Sequence, residues 1–308
     1  MQITKSTRIG WVGVGIMGRS MAGHILGAGY PLFVYNRTRS KASELLDGGA
    51  VWCESPREVA LRSELVFTMV GYPSDVEETI LGDNGIIVTL NQGGIIVDMT
   101  TSSPALARKI ESIARSRGIF AIDAPVSGGD TGAKNATLSI MIGGDKQVAD
   151  SLTPLWNLMG KTIVYHGEAG AGQYAKTVNQ ILIAGNMIGL CEALLFAYRS
   201  GLDLERVLQS VSTGAAGSWS LSNLAPRVIR GDFEPGFFVE HFVKDIGIAL
   251  EEARRMNLSL PGLALVEQFY TAAKAKGYGK NGTQVLLRVL AELNNFDLKN
   301  NPSNLRNQ

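Results

Sequence analysis

Three short stretches of this sequence have residue types and spacings that can do chemistry. The first, Gly13-Val14-Gly15-Ile16-Met17-Gly18, sets three glycines at the spacing G-x-G-x-x-G directly behind the apolar run Ile9-Gly10-Trp11-Val12. Gly13 permits a sharp strand-to-helix turn, Gly15 lets the backbone approach a pyrophosphate and Gly18 allows close helix–strand packing, while the helix start offers free N–H groups and a positive dipole end. The second, Ser127-Gly128-Gly129, can turn successive backbone N–H groups into an anion-binding nest beside a hydroxyl, a fit for a substrate carboxylate. The third centres on Lys176, in the first turns of an otherwise apolar helix, where an ammonium is costly unless its charge is used. Asn179 and Gln180 lie three and four positions further on, so all three project from one face.

These residues need elements to position them. Short β-rich runs (RIGWVGVG, PLFVYN, LVFTMV, GGIIVDMT, GIFAIDAPV, LSIMIGG, TIVYHG) alternate with segments of helical periodicity such as Met17 to Leu26 and Pro104 to Ser116. Alternating strand and helix implies a parallel sheet covered on both faces. From about Gly172 the strand signal stops and AKTVNQILIAGNMIGLCEALLFAYRSG begins a series of helices; its unbroken apolarity suggests burial between domains or subunits. The expected fold is therefore α/β: a Rossmann-type N-terminal domain over 1–168, then an all-α C-terminal domain over 169–308, joined by a long interdomain helix.

In that frame the glycine loop reads as a dinucleotide cradle, with strand before, helix after and the second strand PLFVYN at the expected distance. NAD sites place an acidic residue at the end of that second strand; here stand Asn36, Arg37 and Thr38, which would welcome a 2'-phosphate. NADP is the preferred cofactor on this reading, with NAD as the alternative.

Composition points to a small molecule as partner. The 308 residues are 45% hydrophobic and 19% charged, with a formal net charge of +1 and no basic or acidic block, which favours neither nucleic acid nor an anionic membrane as partner. Cys53 and Cys191 are far apart, and the scattered His24, His166 and His241 form no metal-ligand spacing, so neither a disulfide framework nor a metal site is expected. MQITKSTRIGW lacks an apolar signal core, and no run reaches the roughly 18 apolar residues of a membrane span; a cytoplasmic location is the expectation.

With DAPVSGG at 123–129, GQYAKTVNQ at 172–180 and FVKD at 242–245, the sequence resembles the β-hydroxyacid dehydrogenase family over nearly its whole length. That family includes 3-hydroxyisobutyrate dehydrogenases and the glyoxylate/succinic semialdehyde and tartronate semialdehyde reductases. The resemblance implies reversible hydride transfer between a nicotinamide cofactor and a small carboxylate-bearing carbonyl compound or its hydroxyacid, with Lys176 as general acid/base. Burial and the positive charge of the oxidised cofactor would lower the lysine pKa. It further implies that Met69, Val70, Gly71 and Tyr72 border the cofactor, although many members have Leu-Pro where Val70-Gly71 stands. Thr101 matches a position near nicotinamide and substrate, Phe237 and Asp245 match substrate-pocket positions, and Lys244 matches a lysine contacting the cofactor or the site. The family's Asn usually stands four positions after the lysine; here Gln180 holds that place and Asn179 precedes it, so either amide is a candidate for the substrate. Gly214 to Ser222 is expected to be a pocket-facing turn in which Trp219 shapes substrate choice. A homodimer or homotetramer is expected. Two rival readings are an imine reductase on the same architecture, whose proton-donating position is usually not this lysine, and a non-catalytic dinucleotide-binding module.

Overall fold

A computed structural model describes residues 2–295. The chain divides into two compact units, Met1–Lys176 and Thr177–Gln308, the division falling inside the long helix.

The first unit is built on nine strands: β1 (Ile9–Val12), β2 (Leu32–Tyr35), β3 (Val51–Trp52), β4 (Leu65–Thr68), β5 (Ile95–Asp98), β6 (Phe120–Asp123), β7 (Val126–Ser127), β8 (Leu138–Gly144) and β9 (Gly160–Gly167). Their order is β3-β2-β1-β4-β5-β6-β8-β7, with β9 also paired to β8. β1, β4 and β5 are buried at every position. Alternate side chains feed two cores: Trp11, Phe67, Val97 and Ile122 on one face, Val12, Val66, Ile96 and Ala121 on the other. Trp11 stacks on Phe67 at 5.2 Å, and Phe67 meets Trp156 edge-on at 6.0 Å. Strands buried on both faces read as continuous apolar runs, which is why the sequence signals them so clearly.

Parallel pairing holds from β3 through β6, but not throughout. β8 runs antiparallel to both β6 and β7. β6 and β7 continue in one direction across Ala124-Pro125, and the return to β8 contains only the helix Gly129–Lys134 and short turns. That is less chain than the dozen or more residues a parallel crossover takes.

Helix boundaries follow local chemistry. Ser55 and Ser103 accept hydrogen bonds from Glu58 N and Leu106 N, each followed by proline at the first helical position. Such a cap contributes about 1 kcal/mol, and the proline's missing N–H costs nothing there.

The second unit contains only helices and turns among its described residues, apart from one bridge between Phe238 and Gly282. Val239–Arg255 and Pro261–Ala273 pack through Phe242 and Tyr270, ring centroids 4.9 Å apart, and the Tyr270 hydroxyl donates to Thr283 O at 2.9 Å. The stretch expected to be a Gly/Ser turn is partly helical: Ser218 caps Trp219–Asn223, and Trp219 is 63% exposed.

The long helix spans Ala171–Arg199. Its most apolar 18-residue window has a mean hydropathy of 1.8, so by length and composition it does match a membrane span, contrary to the sequence expectation. Ala184, Met187, Cys191 and Leu194 face the second unit's core, while Val178, Leu182 and Phe196 are exposed.

Two carboxylates end adjacent strands, Asp98 opposite Asp123. Asp98 Oδ1 accepts from Thr68 Oγ1 at 2.8 Å and Thr100 N at 3.0 Å. Burial nonetheless pushes its pKa up to about 6 against those bonds, with a smaller push from Asp123. A carboxyl raised in the folded state holds its proton more tightly there than in the unfolded chain. Stability therefore falls as pH rises from about 4 to about 6 and levels off above. Asp98→Asn is expected to reduce that fall by about 2–3 kcal/mol in denaturant melts taken across the window; an unchanged slope would exclude Asp98 as its source.

Candidate functional site

The glycine loop links β1 to the helix Ile16–Gly27. Gly13 has φ of +95°, and a Cβ there would lie 2.2 Å from Met69 O; one on Gly18 would lie 2.0 Å from Gly13 O. Both positions thus exclude any side chain. A Cβ on Gly15 would meet nothing within 4 Å, and Gly15 caps the helix without a side-chain hydrogen bond, leaving its first N–H groups to solvent or ligand. The loop is a cradle of the shape and polarity that a pyrophosphate needs. Val14 is buried behind it, Ile16 is exposed and Met17 half-buried beside it.

At the end of β2, Asn36 Oδ1 accepts from Val14 N at 3.1 Å, and Asn36 Nδ2 donates to Thr38 O at 2.9 Å. Asn36 therefore holds the glycine loop to the second strand's exit. Arg37 is exposed and donates to Asp75 Oδ1 at 3.3 Å, and Asp75 Oδ2 accepts from Tyr72 N at 3.1 Å. The two sequence-predicted loops, Asn36-Arg37-Thr38 and Met69 to Tyr72, are thereby joined through an acidic residue that sequence reasoning passed over. Val70 N donates to Thr100 Oγ1 at 3.0 Å, tying the same loop to the β5 exit.

That exit carries Thr100, the half-buried Thr101, and Ser102, whose Oγ is buried without a hydrogen-bond partner among the described residues. After β7, Gly128 and Gly129 have φ of +133° and +63°, so they adopt conformations that glycine alone takes readily, and Ser127 stays half-buried at the head of the turn. His24 Nε2 lies 2.8 Å from Ala133 O, linking the first helix to the short helix behind this turn.

Lys176 is 7% exposed. Gln173 and Gln180, three positions before it and four after, are each 1% exposed, so a polar stripe runs along one buried side of the long helix. Gln173 belongs to that stripe and was missed in the sequence; its polar type at a helical spacing from Lys176 was the available signal. In the second unit, Gln180 Nε2 donates to Asp245 Oδ2 at 2.6 Å and Gln180 Oε1 accepts from Asn179 Nδ2 at 2.8 Å. Asp245 Oδ1 is 2.9 Å from Lys244 Nζ, an ion pair without directed hydrogen-bond geometry. Phe237 packs edge-on to Phe242 at 5.8 Å. Four sequence-predicted residues, Asn179, Gln180, Lys244 and Asp245, thus form one connected cluster, and Phe237 lies in the apolar packing around Phe242.

Residues 8–167 match the family model described as the NAD-binding domain of 6-phosphogluconate dehydrogenase, and residues 170–290 match that of the NAD-binding region of NADP-dependent 3-hydroxyisobutyrate dehydrogenase. An Arabidopsis thaliana protein named probable 3-hydroxyisobutyrate dehydrogenase-like 1, mitochondrial, is 52% identical over 97% of this chain and 89% of its own length. The 2-hydroxy-3-oxopropionate reductase of Escherichia coli is 38% identical over 94% of this chain and 99% of its own. The crystal structure of a 3-hydroxyisobutyrate dehydrogenase from Salmonella typhimurium superposes with a TM-score of 0.84 at 26% identity, covering 92% of this chain and all of that one. An imine reductase from Myxococcus stipitatus is more distant, at a TM-score of 0.61 and 21% identity over 92% of this chain and 99% of its own, a likeness of fold alone. With its dinucleotide cradle, its parallel-dominated sheet and these relatives, the chain belongs to the β-hydroxyacid dehydrogenase family as an NAD(P)-dependent oxidoreductase of the 3-hydroxyisobutyrate dehydrogenase type.

Proposed function

We propose that this enzyme interconverts a short β- or γ-hydroxyacid and its semialdehyde, with glyoxylate and succinic, tartronate and methylmalonate semialdehydes as the substrate class, using Lys176 as general acid/base and NADPH in preference to NADH. The observation that carries the reading is a buried lysine flanked by buried amides on an apolar helix. An ammonium is retained in such surroundings where a reacting oxygen needs a proton.

The glycine loop, Asn36, Arg37, Thr38 and the Met69–Tyr72 loop would hold the dinucleotide, with Thr101 and Lys244 nearer its reactive end. When bound, the cofactor supplies or accepts a hydride. The Ser127-Gly128-Gly129 turn binds the substrate carboxylate through a hydroxyl and backbone N–H groups. Lys176 donates a hydrogen bond to the carbonyl oxygen and gives it a proton as charge develops there; in the oxidation direction the neutral amine removes that proton. Gln180 has both ends of its amide engaged by Asn179 and Asp245, whereas Asn179 is engaged only through Nδ2 among these bonds, which supports Asn179 as the amide for the substrate and Gln180 as the one that steadies it. Phe237 and Asp245 bound the substrate pocket. Imine reduction is the second reading, disfavoured by Lys176 at the proton-donating position.

Assays of short aldehyde-acids with NADPH and NADH, and of hydroxyacids in reverse, are expected to find turnover on this class. Lys176→Ala is expected to lose about 100-fold or more of kcat while still binding the dinucleotide; retention of most turnover would remove the lysine from its role. Arg37→Asp is expected to weaken NADPH at least about 10-fold and leave NADH little changed, because a bidentate cation for the 2'-phosphate is replaced by a like charge. Equal affinities before and after would end the NADP preference. The exposed Val178, Leu182 and Phe196 on the long helix support a homodimer or homotetramer. Light scattering should read two or four chains for the wild type and a smaller particle for Leu182→Glu; a wild-type monomer would refute the assembly.

A further inference from the structure

The first turn of the long helix is held to groups remote from it in sequence. Asp123, 4% exposed at the end of β6, accepts from Gly170 N through Oδ1 at 2.7 Å and from Gln173 N through Oδ2 at 2.9 Å. The carboxylate thus satisfies N–H groups that a helix start leaves without partners and meets the positive end of the helix dipole. Glycine makes the approach possible: a Cβ on Gly172 would stand 2.3 Å from Met141 O and 2.9 Å from Asp123 Oδ2. The Gln173 side chain completes the clamp. Its Oε1 accepts from Ser102 N at 2.8 Å and its Nε2 donates to Thr100 O at 2.8 Å. It therefore grips the backbone on both sides of Thr101, as a neighbouring strand would.

The geometry points to Asp123 and Gln173 as positioning residues for the reduction: together they fix the first helical turn to the β5 and β6 exits, so that Lys176 and Thr101 are presented in one register. The inference rests on the role proposed for Lys176 and goes beyond it, since neither residue is asked to touch substrate or cofactor. A shift of about 1 Å in a proton donor costs on the order of 100-fold in rate, whereas ground-state binding is far less sensitive. Burial pushes the Asp123 carboxyl above its ordinary range against the bonds from Gly170 and Gln173, so the clamp is maintained against a desolvation cost.

The test compares Gln173→Met, Gln173→Glu and Lys176→Ala with the wild type, reading kcat and KM on the best aldehyde-acid and NADPH affinity by fluorescence. Gln173→Met removes both grips at similar volume and is expected to lower kcat about 10- to 100-fold, with KM and NADPH affinity within about 3-fold. Gln173→Glu keeps the acceptor for Ser102 N but, when ionised, turns an oxygen on Thr100 O. Once protonated it reproduces the amide's donor and acceptor. Its kcat relative to wild type is expected to rise at least about 5-fold between pH 8 and about pH 5.5, a signature that a space-filling role would not give. Unchanged kcat in Gln173→Met overturns the inference. If that variant does not bind NADPH, absence of the acid-side recovery in Gln173→Glu overturns it instead. Loss in Lys176→Ala with full activity in both Gln173 variants would sink the positioning role alone, whereas full activity in Lys176→Ala would sink the reading beneath it.

Discussion

A buried carboxylate at the start of a helix is the constraint on which the rest of this molecule turns. Asp123 ends one strand of the sheet and receives the N–H groups of Gly170 and Gln173, so the sheet itself sets where the 29-residue helix begins. Lys176 occurs one turn in, close enough to the anchored end that any freedom at Gly170 to Gln173 would pass directly to its ammonium.

The same economy of backbone contacts recurs at the other exits of the parallel strands. Asn36 ties the glycine loop to β2, Thr100 ties the Met69–Tyr72 loop to β5, and Gln173 ties the helix to both sides of Thr101. Each uses a short polar side chain to satisfy backbone groups where the strands stop pairing, which is where orphaned donors and acceptors are most costly. The carboxyl ends of parallel strands are also where ligands bind in open α/β sheets. Groups that quiet the backbone are therefore the same groups that shape the site.

The family assignment and the geometry constrain different things. Relatives named for 3-hydroxyisobutyrate and 2-hydroxy-3-oxopropionate identify an NAD(P)-dependent hydroxyacid dehydrogenase. Side-chain geometry sets Gln180 between Asp245 and Asn179, hydrogen-bonded to both. It also brings Asp75 to Arg37, so any 2'-phosphate must compete with a carboxylate for that guanidinium.

Much of the fold was legible in the sequence because its signals are local. Continuous apolar runs of four to eight residues marked the longer strands, helical periodicity marked segments such as Pro104 to Ser116, and glycine spacing marked the cradle, each depending on residues a few positions apart. The two-residue strands β3 and β7 carried too little pattern to announce themselves, and the antiparallel return of β8 depended on how much chain was left to turn in. The polar clamp was hidden for a different reason. Gln173 and Asp123 meet across 50 residues, and Gln173 and Thr100 across 73, so no spacing rule connects them. By itself the sequence determined the alternation of strand and helix and the glycine loop of a dinucleotide-binding domain, and it offered Lys176 as a candidate proton donor. Only the tertiary structure decided which buried groups hold them in place, because hydrogen bonds between distant segments exist only after the sheet has brought the strand ends together.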